Sequence, residues 1–151
     1  MSKMLMIIWG IIFGISCLAY GQEKFAVFGE IEFPEKKGGI FVQLKTEDDY
    51  NYDKTPPPER ILMIKPNAQE LKDKRVNFKF IDVPKGTYAI FCFQDVNENG
   101  IFDVTKSPTG SGAVMYSEPH GCAGWTSFGA GMWTDVKCEV DKDISGIKIK
   151  M

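Results

Sequence analysis

The chain has 151 residues, 44% of them apolar and 25% charged, with a formal net charge of −2 and a single histidine. That apolar share supports a real core and excludes wholesale disorder, and the scattered lysines and arginines exclude nucleic acid as a natural partner. A metal site built on several histidines is excluded too, and a Ser-His-Asp triad would have to use His120.

The length fits one domain, or one domain plus a targeting segment. Residues 1–21 have the order of a secretory signal: Lys3, an uncharged apolar run from Leu5 to Leu18, then Ala19-Tyr20-Gly21. The last three fit small-x-small cleavage, with Gln22 as the new N-terminus. Two alternatives are an uncleaved anchor and lipidation at Cys17. As an anchor, the run falls short of the ~20 residues that a spanning helix needs. As a lipoprotein signal, Gly14-Ile15-Ser16-Cys17 lacks the usual Leu three positions before Cys17. Each reading exports the protein, to the periplasm or beyond the cell, and leaves 22–151 as a single domain.

From Phe25 the apolar positions recur at every second residue, the period of a strand with one buried face. Phe25, Val27, Ile31 and Phe33 share one side; Ala26, Phe28, Glu30 and Glu32 share the other. Pro34 to Gly39 is a turn, and Ile40, Val42 and Leu44 then alternate with Phe41, Gln43 and Lys45, so the two strands are expected to form an antiparallel hairpin. Glu47–Glu59, with Pro56-Pro57-Pro58, is a polar surface loop. Arg60–Lys65 is a short apolar strand, Ala68–Leu71 one helical turn, and Arg75–Val83 an alternating strand.

Pro84 and Gly86 mark a turn into Thr87–Gln94, a strand that is apolar on both faces. Tyr88, Ile90 and Cys92 lie on one side, and Ala89, Phe91 and Phe93 on the other, so each side needs a cover. The strand delivers Asp95-x-Asn97-x-Asn99-Gly100-x-x-Asp103. Oxygen side chains at alternate positions, with a glycine at the reversal, are how a loop wraps a hard cation such as Ca²⁺. The expected ligands are Asp95, Asn97, Asn99, the Ile101 carbonyl and Asp103, with Glu118 as a sixth candidate. The bidentate glutamate of an EF-hand is replaced by Lys106, so affinity is expected in the ~10⁻⁴–10⁻³ M range of extracellular modules. The competing reading is an Asx-rich turn that caps its own backbone.

Val104–Gly131 is glycine-rich and shows no period. It is longer than the ~15 residues usual for an unstructured connection, so it is expected to pack, folding back over Phe91 and Phe93. Trp125, Phe128 and Trp133 supply either that small core or a ligand-stacking surface. His120 and Cys122 are poor candidates for zinc, because no second Cys or His stands at ligand spacing. A catalytic pair is disfavoured, because nucleophile and base normally come from separate segments. Met132–Val140 and Ile147–Lys150 complete about seven strands in an all-β antiparallel sandwich, Ig-like or prealbumin-like, with one long loop.

The segment Pro84, Gly86, Tyr88, Ala89, then Asp95, Asn97, Asn99, Gly100 and Asp103 resembles a family of small exported bacterial proteins, domain of unknown function 2141. The resemblance is firm over about twenty residues and looser over the flanking strands. It implies a secreted sandwich similar to transthyretin-like or carboxypeptidase-regulatory-like domains, and implies no reaction. Ser107-Pro108-Thr109-Gly110 and Ser117-Glu118-Pro119 only approximate the segment that follows the acidic loop in the family. Cys122 and Cys138 fall outside the shared pattern, which suggests that they bridge each other; strand phase leaves Cys92 as a rival partner for Cys138.

The expected function is that of an exported, non-catalytic β-sandwich module with a weak structural Ca²⁺ loop, whose partner is a protein or glycan of the cell envelope. The alternatives are a small envelope hydrolase or a carbohydrate-binding module using the 104–131 loop, with Trp125 and Trp133 as its surface. The chain has no G-x-S-x-G elbow to favour the hydrolase.

Overall fold

The computed structural model describes residues 21–106, 114–125 and 131–151. Residues 1–20 of the expected signal segment, Cys17 among them, and Phe128 lie outside the described residues. Among those described, no helix is long and apolar enough to cross a membrane.

Strands β1 (Lys24–Glu32), β4 (Arg75–Pro84) and β10 (Ile144–Lys150) form one sheet in the order β10-β1-β4. The second sheet runs β3 (Ile61–Ile64), β2 (Gly39–Lys45), β5 (Gly86–Asp95), and then an edge shared by two short strands. On that edge β9 (Lys137–Val140) pairs with Gly86–Ala89, and β8 (His120–Cys122) pairs with Phe91–Phe93. A separate ribbon joins β6 (Val104–Lys106) to β7 (Val114–Tyr116). The molecule is an all-β sandwich. Its strands are antiparallel except for β1 and β10, which pair in parallel, an arrangement open to strands far apart in sequence.

The alternating strands fill the space between the sheets. Val27 and Ile31 from β1, with Phe78 and Phe80 from β4, meet Ile40, Val42 and Leu44 from β2 and Ile90 and Cys92 from β5. Each of these side chains is almost wholly removed from water. At about 25 cal/mol per Å² of apolar surface, this layer supplies the main driving force for folding.

The expected β1–β2 hairpin is not formed: β1 pairs with β4 and β10, and β2 with β3 and β5. Their apolar faces oppose each other across the core instead. Alternation marks which face is buried, and it is the same for a neighbour within a sheet and for one across the sandwich. The turn between them crosses from sheet to sheet at Gly38. With φ at +86°, and with a Cβ there driven into the Asp95 carbonyl, that position requires glycine.

The Pro84–Tyr88 signal has a compact explanation. The Tyr88 hydroxyl donates to the Pro84 carbonyl at 3.1 Å, and a Cβ on Gly86 would press on the tyrosine ring at 3.2 Å. The ring thus lies over the glycine and locks the β4–β5 turn. Two further expectations change. Met132–Val140 is not strand throughout, because Trp133–Val136 forms a helical turn, α3, before β9. The polar segment after Lys45 contains a helical turn, α1 (Glu47–Asn51), capped by Thr46. A further short helix, α2 (Ala68–Asp73), is capped by Asn67.

Candidate functional site

The acidic loop and the outer face of β5 adjoin. In the loop, the Asp95 carboxylate accepts from the backbone N–H groups of Asn99 at 3.1 Å and Gly100 at 2.7 Å. Asn97 Oδ1 accepts from Asn99 N–H at 3.2 Å, and Asn99 Oδ1 from Ile101 N–H at 2.8 Å. The side-chain amides of Asn97 and Asn99 both donate to Asp103 Oδ2, at 2.6 and 3.0 Å. Glu118, only 6% exposed, reaches in from the long loop. One of its oxygens accepts from Val96 N–H at 2.9 Å and the other from Asp103 N–H at 3.2 Å. The oxygens of the expected cation set are thus together, and the loop closes on its own backbone. The donor chemistry, two carboxylates and two amide oxygens, suits a hard cation. A bound ion would have to turn both asparagine amides over, because their nitrogens face Asp103. Among the described residues, no cluster of three His, Cys, Asp or Glu side chains stands at metal-binding range.

The second feature is a cavity of about 210 Å³ on the outer face of β5. One wall is aromatic and comes from both sides of the long loop. Phe102, at the end of the acidic loop, packs on Phe91 with ring centroids 5.3 Å apart and on Phe93 at 5.1 Å. Tyr116 from β7 stacks on Phe102 at 5.2 Å, and His120 from β8 stands 4.6 Å from Tyr116 and 5.8 Å from Trp125. The long loop therefore covers the outer face of Phe91 and Phe93. His120 Nδ1 lies 3.0 Å from the Glu118 carbonyl, which can only accept, so that nitrogen carries the proton.

The polar part of the lining comes from the end of β2, from α1 and from the residues just after it. The Thr46–Asp49 capping box starts the helix, and the Arg60 guanidinium donates to Asp49 at 2.7 Å. Burial pushes the Asp49 pKa up, but hydrogen bonds from Thr46 and the charge of Arg60 outweigh it and hold the group below the ordinary carboxylate value. The turn projects Tyr50, whose hydroxyl donates to the Gly131 carbonyl at 2.7 Å. Burial, reinforced by Cys122, Tyr116 and Asp135, pushes the Tyr50 phenol up to about 12, so it keeps its proton. Asp53 follows in the left-handed region at φ +48°, which aspartate tolerates better than most residues. Its carboxylate accepts from Lys45 Nζ at 3.1 Å. The Lys45 ammonium also lies 5.1 Å from the Phe91 ring centroid, and its side chain is only 7% exposed.

Of the two tryptophans singled out in the sequence, Trp125 lines this cavity, and Trp133 packs instead toward Tyr50 at 6.0 Å. The expected Cys122–Cys138 disulfide is absent: Cys92, Cys122 and Cys138 are free thiols. The register explains why. Cys122 pairs with Phe91 and shares its outer face, whereas Cys138 pairs with Tyr88 and shares the core face. Cys92 lies on the core face but four residues along β5 from Tyr88, about 13 Å at strand rise and beyond disulfide reach. Burial, with Cys138 nearby, pushes the Cys122 thiol up to about 12, far from the thiolate that a nucleophile needs.

The residues that sequence reasoning passed over are Lys45, Tyr50, Phe102 and Tyr116. Two of them carried a signal. Phe102 is the one aromatic residue in the acidic loop, and Tyr50 is one of two tyrosines in a polar segment. No curated protein matches the chain, and no solved structure does. The family model described as an uncharacterized protein conserved in bacteria, DUF2141, matches residues 31–144, most of the chain and all of β2 to β9, with the acidic loop and every residue that lines the cavity, and the chain belongs to that family.

Proposed function

We propose that this protein is an exported, non-catalytic binding module of the bacterial envelope. Its ligand occupies the cavity on the outer face of β5, and its acidic loop is a structural clamp that takes Ca²⁺ weakly. The observation that carries the reading is the cavity's construction. The end of the acidic loop, the 116–125 part of the long loop and one helical turn converge on a single strand, and they leave a concave space lined by aromatic rings with a buried ammonium among them. A space of this kind, apolar with a few placed polar groups, is the usual form of a small-molecule site. The non-catalytic part is supported by the protonated state of Cys122, the thiol nearest His120 in the cavity. The Lys3 to Gly21 segment supports export.

The test is a broad small-molecule screen by ¹H–¹⁵N correlation spectra of the protein. Ligands are expected to shift the Trp125 indole N–H and the Gly121 amide together. A screen in which no compound moves either signal overturns the binding reading. The intact mass of protein recovered from its own host tests export, with a start at Gln22 expected; a mass that retains residues 1–21, or one with lipid on Cys17, overturns cleavage there.

A further inference from the structure

We infer that the ligand of this cavity is a small flat ring carrying one carboxylate, its ring laid on the aromatic wall and its carboxylate received by Lys45. The inference rests on the binding reading above and adds to it the class of ligand. Three observations carry it. The lining is mixed: the rings of Phe91, Phe102, Tyr116 and Trp125 share it with Lys45 and Asp53, and the Lys45 ammonium lies 5.1 Å from the Phe91 ring centroid. A guest that matches this lining has an apolar ring face with one anionic group at its edge. A sugar has hydroxyls around its whole rim, and those turned to the aromatic wall would lose water without gaining partners.

The second observation is the state of Lys45. An ammonium has three N–H donors, and here one goes to Asp53 at 3.1 Å. The lysine side chain is 7% exposed and cannot leave, while that of Asp53 is 70% exposed and can turn to water. Asp53 is therefore a replaceable counter-ion: its own side of the pair is hydrated, whereas the buried ammonium needs an anion beside it. A carboxylate on the ligand substitutes for it with a charge-assisted hydrogen bond in a site shielded from water. A cationic ligand would find only the hydrated Asp53 carboxylate as its partner, beside a buried ammonium that repels it.

The third is size. A cavity of about 150 Å³ takes one benzene ring, so about 210 Å³ admits one ring, or two fused rings, with a small substituent.

The protein, recovered from a bacterial host that expresses the full chain, is titrated with 2-naphthoate, neutral 2-naphthylmethanol and methyl glucoside, with the Trp125 and Gly121 signals followed. The naphthoate is expected to bind about tenfold more tightly than the alcohol, in line with one charge-assisted hydrogen bond. Lys45→Met should remove that difference and leave the alcohol's affinity in place. Asp53→Asn, which leaves the buried Lys45 ammonium without its anion, should tighten the naphthoate by up to about fivefold relative to the alcohol, and the bound naphthoate should recover stability that the variant loses. Equal binding of acid and alcohol, a response to the glucoside alone, no response to any of the three, or no gain from Asp53→Asn overturns the carboxylate inference. The cavity as a ligand site falls only if the broad screen is silent as well.

Discussion

At the end of β5 the side-chain amide of Gln94 is fully buried and holds the turn that crosses between the sheets. It donates to the carbonyls of Glu35 at 2.8 Å and Lys37 at 2.7 Å, and it accepts from Glu35 N–H at 3.1 Å. Removing it leaves three backbone groups without their partners, and each costs about 1–3 kcal/mol where water cannot reach. Gln94→Ala is therefore expected to lower stability by about 3 kcal/mol in urea unfolding, and Gln94→Glu by at least as much, because a carboxylate cannot donate to the two carbonyls. A loss under about 1 kcal/mol would show that water replaces the amide. Nothing in the sequence marks this residue. A polar residue at the end of an apolar strand looks like the strand's exit to solvent, and its partners lie about sixty positions away. The cysteines are the opposite case. Their strand phase was legible, and it placed Cys138 on the core face, where the structure has it; the expected bridge to Cys122 set that phase aside.

At the scale of elements, α1 and the acidic loop each close with a buried carboxylate, and each can be tested through it. Asp49 caps α1 and pairs with Arg60, and its pKa in the folded protein lies below its unfolded value. A depressed carboxylate contributes stability that is complete above the unfolded value of about 3.9 and is lost as pH falls through the folded value. Urea unfolding of the wild type should therefore weaken below about pH 4 more steeply than that of Asp49→Asn, which lacks this group. Parallel slopes for the two proteins would refute the assignment. In the acidic loop, Glu118→Ala should destabilise the protein by about 2 kcal/mol with or without Ca²⁺, because two N–H groups lose their acceptor. With Ca²⁺ at ten times its dissociation constant, linkage adds about 1.4 kcal/mol, roughly 5 °C in melting temperature. Asp103→Asn should abolish that response. No response of the wild type at 10 mM Ca²⁺ would leave the loop as a self-capped turn only. The loop itself was legible, because its residues are contiguous. Strands β6, β7 and β8 were not, because three residues are too few to show a period, and β8 is strand only because β5 offers it an open edge.

At the scale of the whole molecule, the first and last of the described strands pair with each other. In the central position of its sheet, β1 carries β4 on one side and β10 on the other. The parallel pairing brings Ala26 N–H to the Asp143 carboxylate at 2.8 Å across a separation of 117 residues. The approach is close, since a Cβ on Gly29 would collide with the Ile147 carbonyl, which is why the strand carries glycine there. Alternation over Ile147–Lys150 announced β10 but not its partner, because pairing is a property of two segments and a pattern belongs to one. Ile149, 3% exposed, closes the core from this strand, and Met151 N–H is bound to the Glu32 carbonyl at 3.0 Å. A chain ending at Asp143 would lose that core residue, expose one edge of β1 and open the end of the sandwich. The combined loss, a buried isoleucine at about 2–5 kcal/mol plus a row of strand hydrogen bonds, approaches the 5–15 kcal/mol that holds a typical domain together. Truncation after Asp143 is thus expected to abolish the cooperative thermal transition and the near-ultraviolet signal of the packed aromatics. Met115→Ala in the peripheral β6–β7 ribbon should shift the melting temperature by only a few degrees. A truncated chain that still melts in one sharp step would show that β1 and β4 close the core without β10.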